Sequence, residues 1–427
     1  MLSALVLILL VIIGTPLFAI IATSALIGFH GEDIDLSVIA IEIFRISDTP
    51  VLLAIPLFTF AGYVLGESKA SERLVRLTDA LLGWMPGGLA VVSLFACAFF
   101  TAMTGASGAT IIALGAILYP AMKQAGYNER FNLGLITSSG SLGLLFPPSI
   151  ALILYGVIAQ QMDLDQPVAI DDLFLAGLLP GMLMLALLVA WSMYKSVGDK
   201  IPTTAFDAKR LLTAMRESVW ELPLPVLLVG GIYSGYFAVS EAAAVAVMYV
   251  LVVDVLILRE IKIKQLPLIM RDSMILVGGV LIILAVSLAS TNYLIDAEIP
   301  TRLFDFIRQH VDSKLTFLML LNIFLLLLGM MLDVFSALVI IVPLTLPIAI
   351  GYGIHPIHFG IIFLANMQIG YFTPPVGMNL FIASYRFNKP ITELYHATIP
   401  FMLILFVAVL IITYWPALTM SLIDIKP

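Results

Sequence analysis

Apolar positions in this chain run on in long blocks, broken by short polar stretches. Blocks near 2–28, 50–66, 130–158, 172–194, 220–237, 240–258, 272–292, 357–384 and 394–420 each predict a membrane-spanning helix. Two further blocks, 86–123 and 315–351, carry a small or polar break at "TGASGAT" (104–110) and "LDVFSA" (332–337). Each half is about 15 residues, too short for a ~30 Å hydrocarbon core, so both blocks predict re-entrant hairpins. The stretches 67–85 and 293–314 are amphipathic and share "SERL" (71–74) and "PTRL" (300–303). They predict arm helices at the membrane interface, with plain connecting loops as the alternative.

Two of the blocks are interrupted by paired prolines, in "GLLFPPSIALILYG" (143–156) and "GYFTPPVGMNLFIA" (370–383). An ungapped shift of 227 residues places Pro120 on Pro347, Gly126 on Gly353, Gly143 on Gly370, and Pro147 and Pro148 on Pro374 and Pro375. All five are residues that set backbone geometry. The chain therefore divides into an N-terminal scaffold helix and connector (1–49), a first repeat (50–194), a cytoplasmic connector with linking helices (195–271) and a second repeat (272–427). Each repeat holds an arm, a hairpin and a proline-broken helix. With the N-terminus cytoplasmic, 16 of the 21 basic residues fall inside, as the positive-inside rule requires. The two hairpins then open from opposite sides, so the repeats are inverted.

Composition sharpens the class. The 427 residues are 61% hydrophobic and only 11% charged, against about 25% charged for soluble domains. This is an all-α polytopic membrane protein. The net charge of −7 gives no general attraction to nucleic acid. One cysteine, Cys97, excludes an internal disulfide and any multi-cysteine metal site. The N-terminal apolar run is longer than a signal peptide's core and reads as a retained first span.

Inverted repeats with discontinuous helices point to secondary transport, with sites at the midplane. Proline pairs free the carbonyls that precede them, and in lipid these need a partner. Such carbonyls, with Ser and Thr hydroxyls, suit a hard monovalent cation such as Na⁺. One ion site is expected where Thr104, Ser107 and Gly108 face Ser138, Ser139 and Gly143. A second is expected between Asp333, Ser336, Asn366 and Gly370, with Thr373 close by. For Asp333 the alternative is a cap at the hairpin tip. Helices restarting near Gly108, Ser149, Phe335 and Val376 aim four positive N-termini at the midplane, a seat for a carboxylate. Ser107, Ser149, Thr373 and Asn379 are the expected substrate contacts. Asp254 and Glu241 lie near helix ends and read as structural, and His396 as interfacial. No cofactor is expected beyond Na⁺ as coupling ion. The four residues 105–108, GASG, also match the GxSG of intramembrane serine proteases, which would need a histidine beside Ser107.

Over 104–156 and 329–384 the sequence resembles the large membrane subunit of tripartite ATP-independent periplasmic transporters. The resemblance implies an ion-transporter-superfamily elevator fold and Na⁺-driven uptake of an organic acid, such as a C4-dicarboxylate or sialic acid, across a bacterial inner membrane. It implies two partners, a small four-helix membrane subunit on a separate chain and a periplasmic substrate-binding protein. It places the ion sites on the same hairpin tips and proline loops, with Asp333 matching the acidic residue after "GMML". A stand-alone Na⁺/dicarboxylate symporter of the same superfamily is the remaining alternative.

Overall fold

The computed structural model describes the chain except residues 1, 32–33, 46–48, 163, 200, 202–204 and 424–427. Lys200 and Lys426, both used in the charge-asymmetry reading, lie outside the described residues, as does the side chain of Arg45.

The described residues form helices without strands. In chain order they are α1 (Leu2–Ile12), α2 (Leu17–Gly31), α3 (Ser37–Arg45), α4 (Ala54–Glu67), α5 (Ala70–Leu82), α6 (Gly88–Thr104) and α7 (Ser107–Gln124). Next come α8 (Glu129–Ser139), α9 (Ile150–Gln160), α10 (Ile170–Gly198), α11 (Ala208–Glu217), α12 (Pro223–Tyr233) and α13 (Val239–Val250). The second half holds α14 (Leu266–Asp296), α15 (Ile299–His310), α16 (Lys314–Met331), α17 (Val334–Gly351), α18 (Pro356–Gly370), α19 (Met378–Phe387), α20 (Ile391–Tyr414) and α21 (Ala417–Met420). Seven of these helical segments are long and apolar enough to cross a membrane, or up to eight if a bent pair counts as one.

Three expectations change. The block 2–28 is two helices. Gly14 takes φ +77°, and the amides of Gly14 and Thr15 return to Val11 O and Leu10 O at 3.0 Å each, a closed C-terminal cap. Pro16 then begins the next turn. The block 220–237 yields only the 11 residues of α12, about 16 Å of helix, because Pro223 starts it late and Gly235 at φ +72° follows its end. The hairpin halves are longer than their sequence suggests. α6 has 17 residues and α7, α16 and α17 have 18 each, and of these four α16 and α17 are both long and apolar enough for a crossing.

Length therefore does not decide whether these segments are re-entrant; what their tips meet is the observation that bears on it. The first tip lies beside the Pro147–Pro148 loop, partway along the 29-residue α10, where Leu178 and Met182 face both. The second tip meets the end of α18, where the Tyr371 hydroxyl accepts a hydrogen bond from Val334 N at 2.8 Å.

The two broken helices form the centre. Every residue of α18 is buried, as are 150–159 of α9. Both proline pairs are cis. The halves interlock, since α7 lies along α19 and α17 along α9. Ser141 Oγ donates to Gln368 O at 2.9 Å, and these residues are separated by 227, the offset of the repeat. Equivalent positions thus touch where the two halves meet. Around this centre α4 packs on α13 and α14, and α2 and α3 pack on α14.

Candidate functional site

The first tip is a two-residue turn. Gly105 closes α6 at φ +67°, its amide bonded to Thr101 O at 2.8 Å, and Ala106 is the N-cap of α7. The Ser107 hydroxyl, 4% exposed, donates to Asn379 Oδ1 at 3.0 Å. Asn379 is fully buried, and its Nδ2 donates to Thr137 O at 3.4 Å. The first hairpin is thereby joined to the helix that restarts after the second proline pair. Ser107 opens α7 and Asn379 is the second residue of α19, so two helix N-termini converge there.

The first expected ion-site set is brought together in part. A Cβ at Gly140 would lie 3.2 Å from Ser107 O, so the tip and the break in α8 are in contact. Gly143 packs on α6 so closely that a Cβ would stand 2.3 Å from Ala102 N. Gly108 faces Ile382. The hydroxyls of Thr104, Ser138 and Ser139 donate to carbonyls of their own helices, at 2.9, 3.1 and 3.2 Å, and keep only their lone pairs for a ligand. Ser149 caps α9 by accepting from Leu152 N at 3.4 Å.

The second set separates. Asp333 is the N-cap of α17. Its Oδ1 accepts from Phe335 N and Ser336 N at 3.0 Å each, and its Oδ2 accepts from the Ser336 hydroxyl. Gly370 lies against the backbone of Gly329, and Thr373 bonds back to Ile369 O at 2.9 Å. Asn366 does not join them. Its Nδ2 donates to Asn322 Oδ1 at 2.7 Å, ten residues and roughly 15 Å along α16 from the tip. Asn366 Oδ1 has no partner and is fully buried.

Several polar residues escaped the sequence reading. Thr101 donates to Gly140 O at 2.9 Å and shares a 2.6 Å bond with Thr110, so one carbonyl released at the break is satisfied from inside the protein. Tyr395 does the same for Pro375 O at 2.5 Å. Asn322, the one amide in an otherwise apolar α16, was the legible signal for the Asn366 cluster, which also takes Thr413 at 3.2 Å. Asp254 is corrected outright. It is 1% exposed, since α13 carries on into a packed segment instead of ending in solvent. Glu241 is exposed and caps α13. His396 is exposed.

The serine-protease reading fails on geometry. Ser107 donates to an amide oxygen, and the buried histidine, His358, bonds Thr419 and the Thr413 carbonyl.

Comparison with known proteins decides the class. The family model described as "Tripartite ATP-independent periplasmic transporter, DctM component" matches residues 2–418. The chain belongs to this family. The C4-dicarboxylate TRAP transporter large permease protein DctM of Pseudomonas aeruginosa is 34% identical over 90% of this chain and 88% of its own. The ectoine/5-hydroxyectoine TRAP transporter large permease protein UehC of Ruegeria pomeroyi is 30% identical over 99% and 98%. The sialic acid TRAP transporter permease protein SiaT of Haemophilus influenzae is 31% identical, and the match spans 59% of that longer chain. Among solved structures, the YdaH transporter of Alcanivorax borkumensis aligns with a TM-score of 0.63 at 17% identity, covering 89% of this chain and 90% of that one. That likeness shows the fold. The chain is thus a multi-pass transporter permease subunit with an inverted-repeat, two-hairpin fold, and not an enzyme.

Proposed function

We propose that this chain carries Na⁺-coupled uptake of a small organic acid across a bacterial inner membrane by an elevator movement. In this reading it works with a small membrane subunit and a periplasmic binding protein. The observation that carries it is the Ser107–Asn379 bond, which joins one hairpin tip to the opposite repeat's restarted helix, beside both proline breaks. A carboxylate there would meet the N-termini of α7 and α19 and would accept the hydrogen bond that the Ser107 hydroxyl now gives Asn379. Na⁺ would sit by the tip–break contacts, at Ser107, Ser138, Ser139 and Gly140 on one side and at Asp333, Gly370 and Thr373 on the other. The relatives' printed substrates, C4-dicarboxylates, ectoines and sialic acid, support a carboxylate cargo.

Coupling has an energetic bound. Importing a dianion against 100 mV, inside negative, costs about 4.6 kcal/mol, and two Na⁺ cancel this electrically. Their concentration gradient is left to drive accumulation.

The test is uptake of radiolabelled C4-dicarboxylate and sialic acid into liposomes holding the permease and small subunit. Accumulation is expected only with an inward Na⁺ gradient and added binding protein. Uptake driven equally by a proton gradient in K⁺ would overturn the Na⁺ reading. Uptake without binding protein would favour the stand-alone symporter.

A second expectation concerns Asn379. Asn379→Ala removes the acceptor of Ser107 and the donor to Thr137 and should lower substrate kcat/KM at least tenfold, about 1.4 kcal/mol. Half-saturation for Na⁺ should move much less; equal losses in both would place Asn379 in the ion site instead.

A further inference from the structure

Away from the hairpin tips, the joint between the first arm helix and the linking helices holds a buried cluster of charges. Arg73 of α5, 7% exposed, reaches Glu221 Oε1 at 2.6 Å and also bonds Glu260. Glu260 Oε2 accepts from Lys69 N at 2.8 Å, and Ser218 Oγ donates to Arg73 O at 3.3 Å. Burial works against the Glu260 carboxylate, yet its bonds to Arg73 and to the Lys69 amide hold it below the usual carboxylate range.

Three carboxylate atoms in this joint have no partner: both oxygens of Asp254, and Oε2 of Glu221, itself 4% exposed. Both residues line one small cavity, with Tyr249, Trp220 and Val253, that has room for about a single water. The neighbouring Ser68 hydroxyl is committed, donating to Leu65 O at 2.9 Å. Asp254 also sits in the middle of a π-helical segment, Leu251–Ile257, an arrangement that recurs at functional sites. Its carbonyl accepts the amides of Glu260 and Ile261 at 2.9 and 3.3 Å, which folds the following loop back over the cluster.

We propose that Asp254 and Glu221 hold one proton between them, forming a carboxyl–carboxylate proton site that closes the joint between α5 and the end of α13. Two anions with orphaned oxygens in one cavity with room for about a single water are strongly unfavourable. A proton on Asp254 gives it a donor, and Glu221 Oε2 is the free acceptor in the same cavity, directly or through one water. One proton thus pairs two of the three orphaned oxygens, one on each residue, and lowers the cluster's charge. Every element packed on the site contributes to its field: Arg73 from α5, Lys69 ahead of it, Glu221 before α12, Tyr249 one turn earlier on α13, Glu260 after it, and solvent-exposed Glu67 at the end of α4. Among them, Arg73 is the buried cation, and it is already shared by Glu221 and Glu260.

The sign is fixed by linkage. The folded protein keeps a proton that the unfolded chain has released by neutral pH, so stability falls as pH rises above the ordinary carboxylate range, until the site itself empties. Purified full-length protein should show a protonated-carboxyl infrared band at neutral pH that moves on ¹³C labelling of aspartate and fades on alkalinisation. Asp254→Asn should remove this band. It should also remove a pH slope in the melting curve worth up to tenfold in the unfolding constant per pH unit. No aspartate-sensitive band in wild type, which requires no mutant to fold, would overturn the proposal. So would a pH slope in Asp254→Asn equal to that of wild type, or a Na⁺-dependent melting shift that requires Asp254. None of these readouts depends on transport, so their failure is separate from failure of the Na⁺ reading.

Discussion

Gly143→Ala and Gly370→Ala are each expected to abolish uptake and lower the melting temperature of the purified protein. The two glycines occupy equivalent positions in the repeats, and each lets a broken helix touch the first half of its own hairpin. A Cβ at Gly143 would stand 2.3 Å from Ala102 N and 2.5 Å from Ala98 O. At Gly370 it would stand 2.5 Å from the Gly329 backbone. Backbone cannot swing aside as a side chain can, so the hairpin must be pushed off the break. Overpacking of this kind costs about 1–3 kcal/mol. Here the displaced parts are the tips that carry Ser107 and Asp333, so the loss in transport should exceed the loss in stability. Gly278→Ala is the control. Nothing lies within 4 Å of its Cβ in the middle of α14, and it should stabilise by roughly 0.5–1 kcal/mol. Normal uptake by Gly143→Ala and Gly370→Ala would mean that these contacts do not hold the sites.

Asp333→Asn is expected to leave the melting temperature within a few degrees of wild type while raising the Na⁺ concentration for half-maximal uptake at least tenfold. Asparagine caps a helix about as well as aspartate, so α17 keeps a cap for Phe335 N and Ser336 N. What it loses is the negative charge. Asp333→Ala removes the cap as well and should cost about a further 1 kcal/mol of stability. Measuring uptake against Na⁺ for both variants separates the roles. If Asp333→Asn transports with unchanged Na⁺ dependence and only Asp333→Ala is impaired, Asp333 is a cap and not an ion ligand.

The parts of the fold readable in the sequence are those dictated by backbone chemistry. Pro147–Pro148 and Pro374–Pro375 cannot continue a helix, and their common spacing exposes the repeat in an ungapped shift. Gly105 and Asp333 mark the tips for the same reason: one takes a left-handed turn and the other caps. The parts that could not be read depend on what packs against what. The break at Gly14 is marked in the sequence by Gly14-Thr15-Pro16, and a reading by hydropathy alone passes over it. Asp254 looks like a residue at a helix end until α5 and the turn around Glu221 are placed over it. Asn366 sits four residues before Gly370, which does reach α16, but the face it turns to α16 was fixed by Asn322, which no local spacing connects to it.

The contact between Ser141 and Gln368 constrains how the molecule can work. Twin positions that meet at the centre tie the two halves together. On the proposed mechanism, the cation seats at the two tips and the anion seat between them would share a single floor, and a rigid-body shift would carry all of them or none. Coupling on this plan requires no message sent across the protein, only doors at the two tips that stay shut around a partly filled load.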